Sequence, residues 1–375
     1  MADNSLIDWM ALSFVPGLGP KTILRLHGRF GSPAAIFSAC AAGTKDGGAL
    51  RKDIGVALSH PGPLREKARS ELKRLRSGGA SAISFSDERY PQLLREIADP
   101  PPVLYAQGRM ELLPSSCVAM VGSRAATSYG KRSAFTLASD LAARGATVVS
   151  GLALGIDGEA HSGALSVKGN TIGVLGCGLD VVYPRQNGAL YERIRQRGLL
   201  LSEYPLGTRP DGFRFPARNR IISGISGGVV VVEAAKKSGS LITAEMAMDD
   251  GRDVFAVPGQ IDSFKSNGTH WLLQQGAKLV QSAEDILVEL EGSWHVPGSE
   301  GGQRSEVSDP DRDPVLDTLL QNIDVYPTPR NEVIAGSGLG APKVTELLLL
   351  LELEGLVEIL PGDEVRKINQ LETKE

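Results

Sequence analysis

Three short apolar segments of the chain each end in a turn that contains glycine. Gly122–Arg124 follows CVAMV, Gly151–Gly155 follows TVVS, and Gly176–Gly178 follows TIGVL. Because glycine lacks a Cβ, its main chain can come close to a phosphate group. Ser123 and Arg124 add a hydroxyl and a guanidinium fork that suit phosphate oxygens. The three turns together favour phosphate binding, although a lone Gly-Ser-Arg triplet is more typical of a tight strand-to-helix turn with an exposed arginine.

The segment Ser202–Gly224, SEYPLGTRPDGFRFPARNRIISG, follows the next apolar run and interleaves four arginines with two phenylalanines. A guanidinium pairs with phosphate while an aromatic ring stacks on an unpaired base, so this composition is typical of nucleic-acid binding. In the alternative interpretation the rings anchor a long loop to the core and the arginines are ordinary surface residues. The arginines stand beside three glycine turns, which favours the first interpretation.

The candidate residues for phosphate or DNA contact are the glycines, cations and neighbouring groups expected at this place. They are Gly122, Ser123, Arg124, Gly151, Gly155, Arg185, Arg209, Arg214, Phe215, Arg218, Asn219, Arg220 and Lys236. Lys236 is the weakest candidate, because exposed lysines are common on any protein surface. Ser238 or Ser240 is expected to cap the helix that follows.

The elements that position these residues lie in residues 116–290, where β-rich runs alternate with helical stretches. The runs are CVAMV, TVVS, TIGVL, LLLSE, GVVVVE, DVFAVP and AKLV, and most are apolar throughout. Apolar strands separated by helices predict a parallel sheet that is covered on both faces, with right-handed crossovers. We therefore predict an α/β fold with a Rossmann-like, doubly wound sheet that binds its ligand at the carboxyl ends of the strands.

Composition divides the chain further. Residues 84–115 contain Pro100–Pro102, which exclude a helix there and predict an extended segment. Residues 292–312 are rich in Gly, Ser, Pro and charge, which is typical of a flexible linker. The predicted domains are an N-terminal helical domain (1–83), an extended connector (84–115), a Rossmann-like domain (116–291), a flexible linker (292–312) and a winged-helix-like domain (313–375).

The two flanking domains each allow two interpretations. Val15–Ser32 places Gly17 and Gly19 between apolar helical stretches, as in a helix-hairpin-helix that offers main-chain N–H groups to phosphate. A plain helical connector fits the same pattern equally well. In the last domain, helical stretches followed by VEILPGDEVRKI predict a winged helix, but its acidic residues are unfavourable near phosphate and favour a protein-interaction role or no essential role. These acidic residues are Glu346, Glu352, Glu354 and Glu358.

Five side chains near the strand ends could take part in acid–base chemistry: Asp157, His161, Asp180, Glu203 and Glu233. For each of them a structural role is favoured, since aspartates are common in caps and turns and His161 lies inside a helix. The sequence has no GxSxG nucleophile elbow, Walker phosphate loop or HExxH zinc motif. Its three cysteines are widely spaced and form no metal-ligand cluster with the five histidines. We therefore predict no catalytic residue, no metal and no cofactor.

Net charge limits how the chain can contact nucleic acid. A formal charge of -4 argues against binding through bulk positive charge, so the contact must be local. The N-terminal sequence carries acidic residues where a signal peptide has a basic flank, and no apolar run approaches the length of a membrane span. The sequence predicts a cytoplasmic protein with reduced cysteines and no membrane contact.

The motifs described above resemble those of the bacterial DNA-processing protein A family, also called DprA or Smf. The matching segments include YPQLLREIADPPPVLYAQG, MVGSR, SGLALGIDGEAH, GVLGCGLDVVYP, LLLSEYPLGTRP, FPARNRIISGISGGVVVVEA, SGSLITAEMA and GRDVFAVPG. They run in order from about Tyr90 to Val280. Two positions depart from the family pattern: Leu154 stands where a basic residue is frequent, and His270–Trp271 where Asn and a variable residue are common.

The resemblance implies a Rossmann-like core that binds single-stranded DNA, forms homodimers and loads the RecA recombinase during natural transformation. It gives the phosphate contact to Gly122–Arg124 and the strand-binding role to Phe215 and Arg218–Arg220.

Two other functions stay open on the residues alone. A nucleotide-processing enzyme of the lysine-decarboxylase-like phosphoribohydrolase type would carry PGGxGTxxE where this chain has AAKKSGSLITAE. A scaffold for protein assembly would self-associate through the strands and helices after Gly239.

Overall fold

The computed structural model divides into two compact units, Met1–Ser299 and Glu300–Glu375. The residues that the structure describes are 2–43, 50–290, 316, 319, 322–323, 328–353, 356–360 and 362–367.

The N-terminal region, predicted as a helical domain over residues 1–83, is helical as far as Ser77, whereas Ala80–Ser84 forms a strand of the central sheet. Its helices are α1 (Ala2–Ser13), α2 (Pro20–Phe30), α3 (Pro33–Ala41), α4 (Lys52–Ser59) and α5 (Gly62–Ser77). Gly17 adopts a φ of 78° in the turn between α1 and α2, a conformation that favours glycine. Helix α2 begins with proline at its first position and ends at Gly31 in the left-handed region, the usual signals for the start and end of a helix.

One nine-stranded sheet forms the centre of the first unit, in the order β1-β2-β6-β5-β4-β3-β7-β8-β9. Its strands are β1 (Ala80–Ser84), β2 (Val103–Gly108), β3 (Cys117–Val121), β4 (Thr147–Ser150), β5 (Thr171–Leu175), β6 (Leu199–Ser202), β7 (Gly228–Val231), β8 (Asp253–Ala256) and β9 (Lys278–Leu279). Strands β3 to β9 are parallel to one another. The predicted doubly wound α/β fold is confirmed, with a strand at each of the seven apolar runs.

Residues 84–115, predicted as an extended connector, form part of this sheet instead. Strand β2 pairs antiparallel with both β1 and β6. A short helix, α6 (Gln92–Glu96), precedes it. The reason is burial: Leu104 and Tyr105 point to opposite faces of the sheet and are both fully covered. The prolines Pro100–Pro102 hold the chain extended only up to the start of this strand.

Helices cover both faces of the sheet. They are α7 (Ser128–Ala143), α8 (Ile156–Ser166), α9 (Gly188–Arg197), α10 (Arg214–Gly224), α11 (Gly239–Asp249), α12 (Asn267–Gln274) and α13 (Ala283–Leu290). Along β3, Val118 and Met120 belong to the core cluster of α7, α8 and α13. Ala119 and Val121 belong to the cluster of α10, α11 and α12 on the other face. Burial on both faces explains why this strand is apolar throughout.

The C-terminal unit has the predicted winged-helix character. It contains β10 (Thr328–Pro329), α14 (Arg330–Ser337), α15 (Ala341–Leu353), β11 (Val357–Leu360) and β12 (Glu364–Lys367), with the strand order β10-β12-β11. The predicted hairpin is β11 paired antiparallel with β12. The predicted linker, 292–312, lies outside the described residues. Over the described ranges no single helix is long and apolar enough to cross a membrane; α14 and α15 pass that test only as a pair bent by 109°.

Candidate nucleic-acid interface

The order of the parallel strands reverses at β3, with β4, β5 and β6 on one side and β7, β8 and β9 on the other. Ligands of such sheets bind at this point, outside the carboxyl ends of the strands. We call the side formed by those ends the carboxyl edge. A cleft of about 600 Å³ lies there, lined by Gly122 and Arg124 after β3, Ala153 after β4, and the first turns of α10 and α11.

The predicted glycine turns bring protein segments together at this edge. A Cβ on Gly122 would lie 2.6 Å from Cγ1 of Ile156. Gly155 has a φ of 77°, and the position of its missing Cβ is filled by the carbonyls of Ser123 and Arg124. At Gly151 the same position is filled by the guanidinium of Arg218. At Gly151 and Gly155 the space that a phosphate was expected to use is occupied by the protein.

Arg218 lines the cleft, and its side chain bonds to the turn after β4 and to β5. Its side chain is buried, and Nη1 donates hydrogen bonds to the carbonyl of Gly151 at 2.7 Å and to that of Val174. Asp157 is also buried and accepts from the main-chain N–H groups of Gly151 and Ala153. Burial lowers the pKa of Arg218, whereas it raises the pKa of Asp157. This arrangement gives Arg218 a structural role in holding the turn after β4.

The side chains of the three consecutive residues Arg218–Arg220 have different surroundings in the structure. Asn219 lines the cleft and its Nδ2 lies 3.5 Å from the carbonyl of Gly239. Arg220 is not among the cleft residues: its guanidinium donates to both carboxylate oxygens of Glu203 at 2.6 Å and lies 3.6 Å from Asp99. The side chain of Arg220 is only 12% exposed, so its charge is already matched within the protein.

Aromatic rings in and beside the cleft differ in what covers them: Tyr183 and Phe215 line the cleft, whereas Phe213 lies beside it, next to the lining residue Gly212. Phe215 stacks on Tyr183 at 5.4 Å and carries the Arg124 guanidinium 5.3 Å from its ring centre. Phe213 is 65% exposed and has the Arg214 guanidinium 5.0 Å from its ring. The ring that is open for stacking is therefore Phe213, which sequence reasoning left outside the candidate set in favour of Phe215.

Tyr183 was also missed by sequence reasoning. It lies on the loop between β5 and α9, and its ring is 39% exposed. Its position after the third glycine turn, two residues before Arg185, is the signal in the sequence that could have identified it.

The remaining cations stand around the cleft without lining it. Arg185, Arg209 and Lys236 are exposed and lie on the loops after β5, β6 and β7. Because these strands are parallel, the three side chains share the carboxyl edge. Arg214 is half-buried, and its Nη1 donates to the carbonyl of Arg209. The edge therefore carries a rim of positive charge on a chain whose net charge is negative.

The N-terminus of α11 opens into the same cleft. Ser238 caps the helix, accepting from the N–H of Ser240, and Ser238–Ser240 line the cleft together with Ile242 and Thr243. Capping by Ser238 is one of the two predicted alternatives. The free N–H groups and dipole at a helix N-terminus favour an anion, so phosphate fits here better than at the glycine turns.

The acidic and histidine candidates are engaged in structural bonds. Asp180 accepts from the N–H of Gly207, and Glu233 accepts from the N–H and hydroxyl of Thr127. His161 is fully buried with Nδ1 2.7 Å from Oγ1 of Thr171, and burial lowers its pKa to about 3. Within the described part of the chain no group of three or more His, Cys, Asp or Glu side chains is arranged to hold a metal.

The structure shows where the two positions that depart from the family pattern lie. Leu154 is 37% exposed on the turn after β4, beside the cleft residue Ala153. His270 in α12 places Nε2 3.1 Å from the carbonyl of Gly259, and so connects this helix to the loop after β8.

Comparison with known proteins agrees with this architecture. Residues 81–291 match the family described as DNA recombination-mediator protein A, and residues 303–363 match the DprA winged helix domain. Protein Smf of Escherichia coli strain K12 is 43% identical over 313 residues, 82% of each chain.

Two solved structures are similar. The DNA processing protein A of Streptococcus pneumoniae has 40% identity and a TM-score of 0.57, covering 72% of this chain and 97% of that one. The DNA processing protein A of Helicobacter pylori, described for its single-stranded DNA binding mode, has 35% identity and a TM-score of 0.53, covering 58% and 97%. With the family match extending over more than half of the sequence and one relative similar over four-fifths of it, the chain belongs to the DNA recombination-mediator protein A family.

Proposed function

We propose that the cleft and its rim bind single-stranded DNA without reading its sequence. The observation that carries this proposal is the convergence of an exposed ring, Phe213, with exposed cations and the N-terminus of α11 around one cleft at the carboxyl edge. Phosphates would lie on Arg124, Arg209 and Lys236, while bases stack on Phe213. The Helicobacter pylori relative, whose description names single-stranded DNA binding, supports the same ligand here.

The buried arginines have a different role in this proposal. Arg218 and Arg220 are occupied by carbonyls and by carboxylates, so they shape the cleft and hold α10. In this proposal the exposed cations Arg124, Arg185, Arg209 and Lys236 contact phosphate directly. The half-buried Arg214 contacts phosphate as well. This division predicts which arginine substitutions change the affinity for DNA and which change the stability of the fold.

Fluorescence anisotropy of labelled single-stranded and duplex oligonucleotides over a salt series tests the proposal. We expect tight binding to the single strand, weaker binding to blunt duplex, and an affinity that falls steeply with salt because phosphate binding releases counterions. Arg124→Ala should lower the affinity for the single strand and make the plot of log K against log salt shallower by about 0.7.

Arg197→Ala is the matched control for Arg124→Ala. Arg197 is exposed at the end of α9, immediately before β6, and therefore lies at the opposite edge of the sheet. Both variants remove one exposed positive charge, so equal losses of affinity would show that binding follows net charge and not the cleft. Equal or tighter binding of wild type to duplex would also contradict the proposal.

The finer functions belong to the same proposal: loading of the RecA recombinase on incoming DNA, self-association as a homodimer, and a cytoplasmic location. The family description as a recombination mediator supports the first. An open edge supports the second: within the described residues β9 pairs only with β8, and its Leu279 is 47% exposed. Sedimentation of wild type and Leu279→Lys tests the dimer, and recombinase assembly on protein-coated single strands tests the loading.

A catalytic role has less support. In the segment comparable to PGGxGTxxE of the phosphoribohydrolases, the glutamate is Glu245, which is exposed and is not a cleft residue. We propose that binding alone is the function of this cleft. Release of free base from nucleoside monophosphates by the purified protein would contradict this.

A further inference from the structure

The loop between β8 and α12, residues 257–266, exposes two large apolar side chains at the carboxyl edge. Ile261 is 92% exposed and Phe264 is 67% exposed. Neither residue lines the cleft. With two-thirds of its surface exposed, Phe264 is accessible to a ligand.

Several contacts hold this loop against the turn that carries Arg124. Lys265 Nζ donates to the carbonyl of Ala125, the residue after Arg124. On the same side, the hydroxyl of Tyr129 donates to the carbonyl of Pro258 at 2.7 Å. Phe264 therefore stands next to the β3 turn, on the side of β7 and β8, whereas Phe213 and Phe215 come from the segment that follows β6.

Phe264 repeats a combination of ring and cation that occurs once in the cleft and once beside it. Arg124 lies 5.3 Å from the ring centre of Phe215, and Arg214 lies 5.0 Å from that of Phe213. Lys265 Nζ lies 5.9 Å from the ring centre of Phe264. A ring beside a cation suits a nucleotide, because the base stacks on the ring and the phosphate pairs with the charge. An ammonium group has three donors, so Lys265 can keep its bond to Ala125 and still contact a phosphate.

We propose that Phe264 and Lys265 form a second base-stacking position, outside the cleft, on which the same DNA strand continues past the turn of Arg124. This inference rests on the proposed function and adds a longer path for the strand. The cation beside the ring and the direct connection to the Arg124 turn favour single-stranded DNA over an apolar protein partner. Ile261, which has neither a ring nor a cation beside it, takes no part.

Binding of oligothymidylates of increasing length, from about 4 to about 20 nucleotides, distinguishes the contribution of the cleft from that of Phe264. Phe213→Ala should weaken binding at every length, because this exposed ring adjoins the cleft next to its lining residue Gly212. Phe264→Ala should leave the shortest bound oligonucleotides unaffected and lower the affinity for the longest about tenfold, the usual effect of removing one stacking ring. Phe264→Tyr keeps the ring and should bind as wild type, whereas Phe264→Leu keeps apolar bulk only and should behave as Phe264→Ala.

Ile261→Ala is the control from the same loop and should bind as wild type at all lengths. A direct readout comes from Phe264→Trp, whose added fluorescence should be quenched by long oligonucleotides and not by the shortest. Wild-type affinity of Phe264→Ala at every length overturns the inference while leaving the proposed function intact. No binding of single strands by wild type defeats the proposed function itself. If Phe264→Ala instead changes the sedimentation of the protein without DNA, the ring belongs to an interface between copies and the inference is wrong.

Discussion

At the scale of single residues, burial decides what a charged side chain does in this protein. Arg124 and Arg218 both face the cleft, but Arg124 is exposed while Arg218 is bonded to two carbonyls and is 4% exposed. A guanidinium that is buried and bonded to main-chain carbonyls contributes less to ligand binding than an exposed one. Burial also determines the role of His161, whose ring is enclosed between α8 and the sheet and bonded to Thr171.

His161 should make the fold sensitive to mild acid. Burial, with a smaller effect of the nearby Arg218 charge, lowers the pKa of His161 from 6.5 to about 3 in the folded state. Between these values the unfolded chain binds a proton that the folded chain does not, so stability is full above pH 6.5 and falls as the pH decreases. We expect a loss of about 1.5 kcal/mol between pH 6.5 and pH 5 from this group.

Urea unfolding of wild type and His161→Gln over this range of pH measures the effect. Glutamine keeps a hydrogen-bonding group near Thr171 but does not titrate, so the variant should lose less stability between pH 6.5 and pH 5. The comparison cancels His27, whose pKa burial also lowers. Parallel curves for the two proteins would mean that the folded protein can protonate His161 without penalty.

At the scale of elements, α10 combines two functions on one helix. Phe213, immediately before its first residue, is exposed beside the cleft, and Arg214 in its first turn is half-buried there. The middle of the helix is fixed by the pair of Arg220 with Glu203 on the loop after β6. Burial raises the pKa of Glu203, opposed by the charge and hydrogen bonds of Arg220. The helix is thus held by an ion pair in which each partner compensates the charge of the other.

Arg214→Ala and Arg220→Ala form a matched pair within α10. Arg220→Ala leaves the Glu203 carboxylate buried without a partner and should lower the free energy of unfolding by about 3–5 kcal/mol. Arg214→Ala should change stability by less than about 0.5 kcal/mol and weaken the binding of single-stranded DNA. Denaturant unfolding and anisotropy on both variants give the two quantities.

The salt dependence of binding distinguishes the two arginines further. Arg214→Ala should make the slope against log salt shallower, and Arg220→Ala should leave it unchanged in the folded fraction, because Arg220 contacts no phosphate in our proposal. A shallower slope for Arg220→Ala would place this residue on the DNA and contradict the division of roles.

The elements were largely predictable from sequence, whereas the pairing of side chains was not. Apolar runs identified β3 to β8, since strands buried on both faces tolerate few polar residues. The run AKLV also predicted β9, although both residues of this edge strand are exposed. Strand β2 was missed because Pro100–Pro102 dominate its segment. Nothing local distinguishes Arg218 from Arg220: their partners, Gly151 and Glu203, belong to other elements of the fold and are set by the order of the strands.

At the scale of the whole molecule, the chain has separate cores. One core cluster joins the N-terminal helices to the sheet, from Trp9 in α1 to Tyr105 in β2 and Leu200 in β6. Among the described residues, the cluster of the C-terminal unit is formed by residues of that unit alone, with Leu351 fully buried in it. The N-terminal helices and the sheet should therefore unfold together, and the winged helix by itself.

Hydrogen exchange of core variants tests this division. Trp9→Ala, which should cost about 3–5 kcal/mol, is expected to increase exchange in α1 to α5 and in the sheet while leaving α15 unchanged. Leu351→Ala, at about 2–5 kcal/mol, should increase exchange in α14, α15 and the hairpin only. Faster exchange of the sheet in Leu351→Ala would show that the two cores depend on each other.

The filled space at Gly151 has a consequence for how sequences of this type can diverge. Because the Arg218 guanidinium occupies the position of the missing Cβ, a larger residue at 151 must displace it, and a smaller residue at 218 removes the donor that the carbonyls of Gly151 and Val174 share. Each change alone is unfavourable, whereas the two together avoid the collision. Among distant relatives these two positions should therefore change jointly or remain as they are.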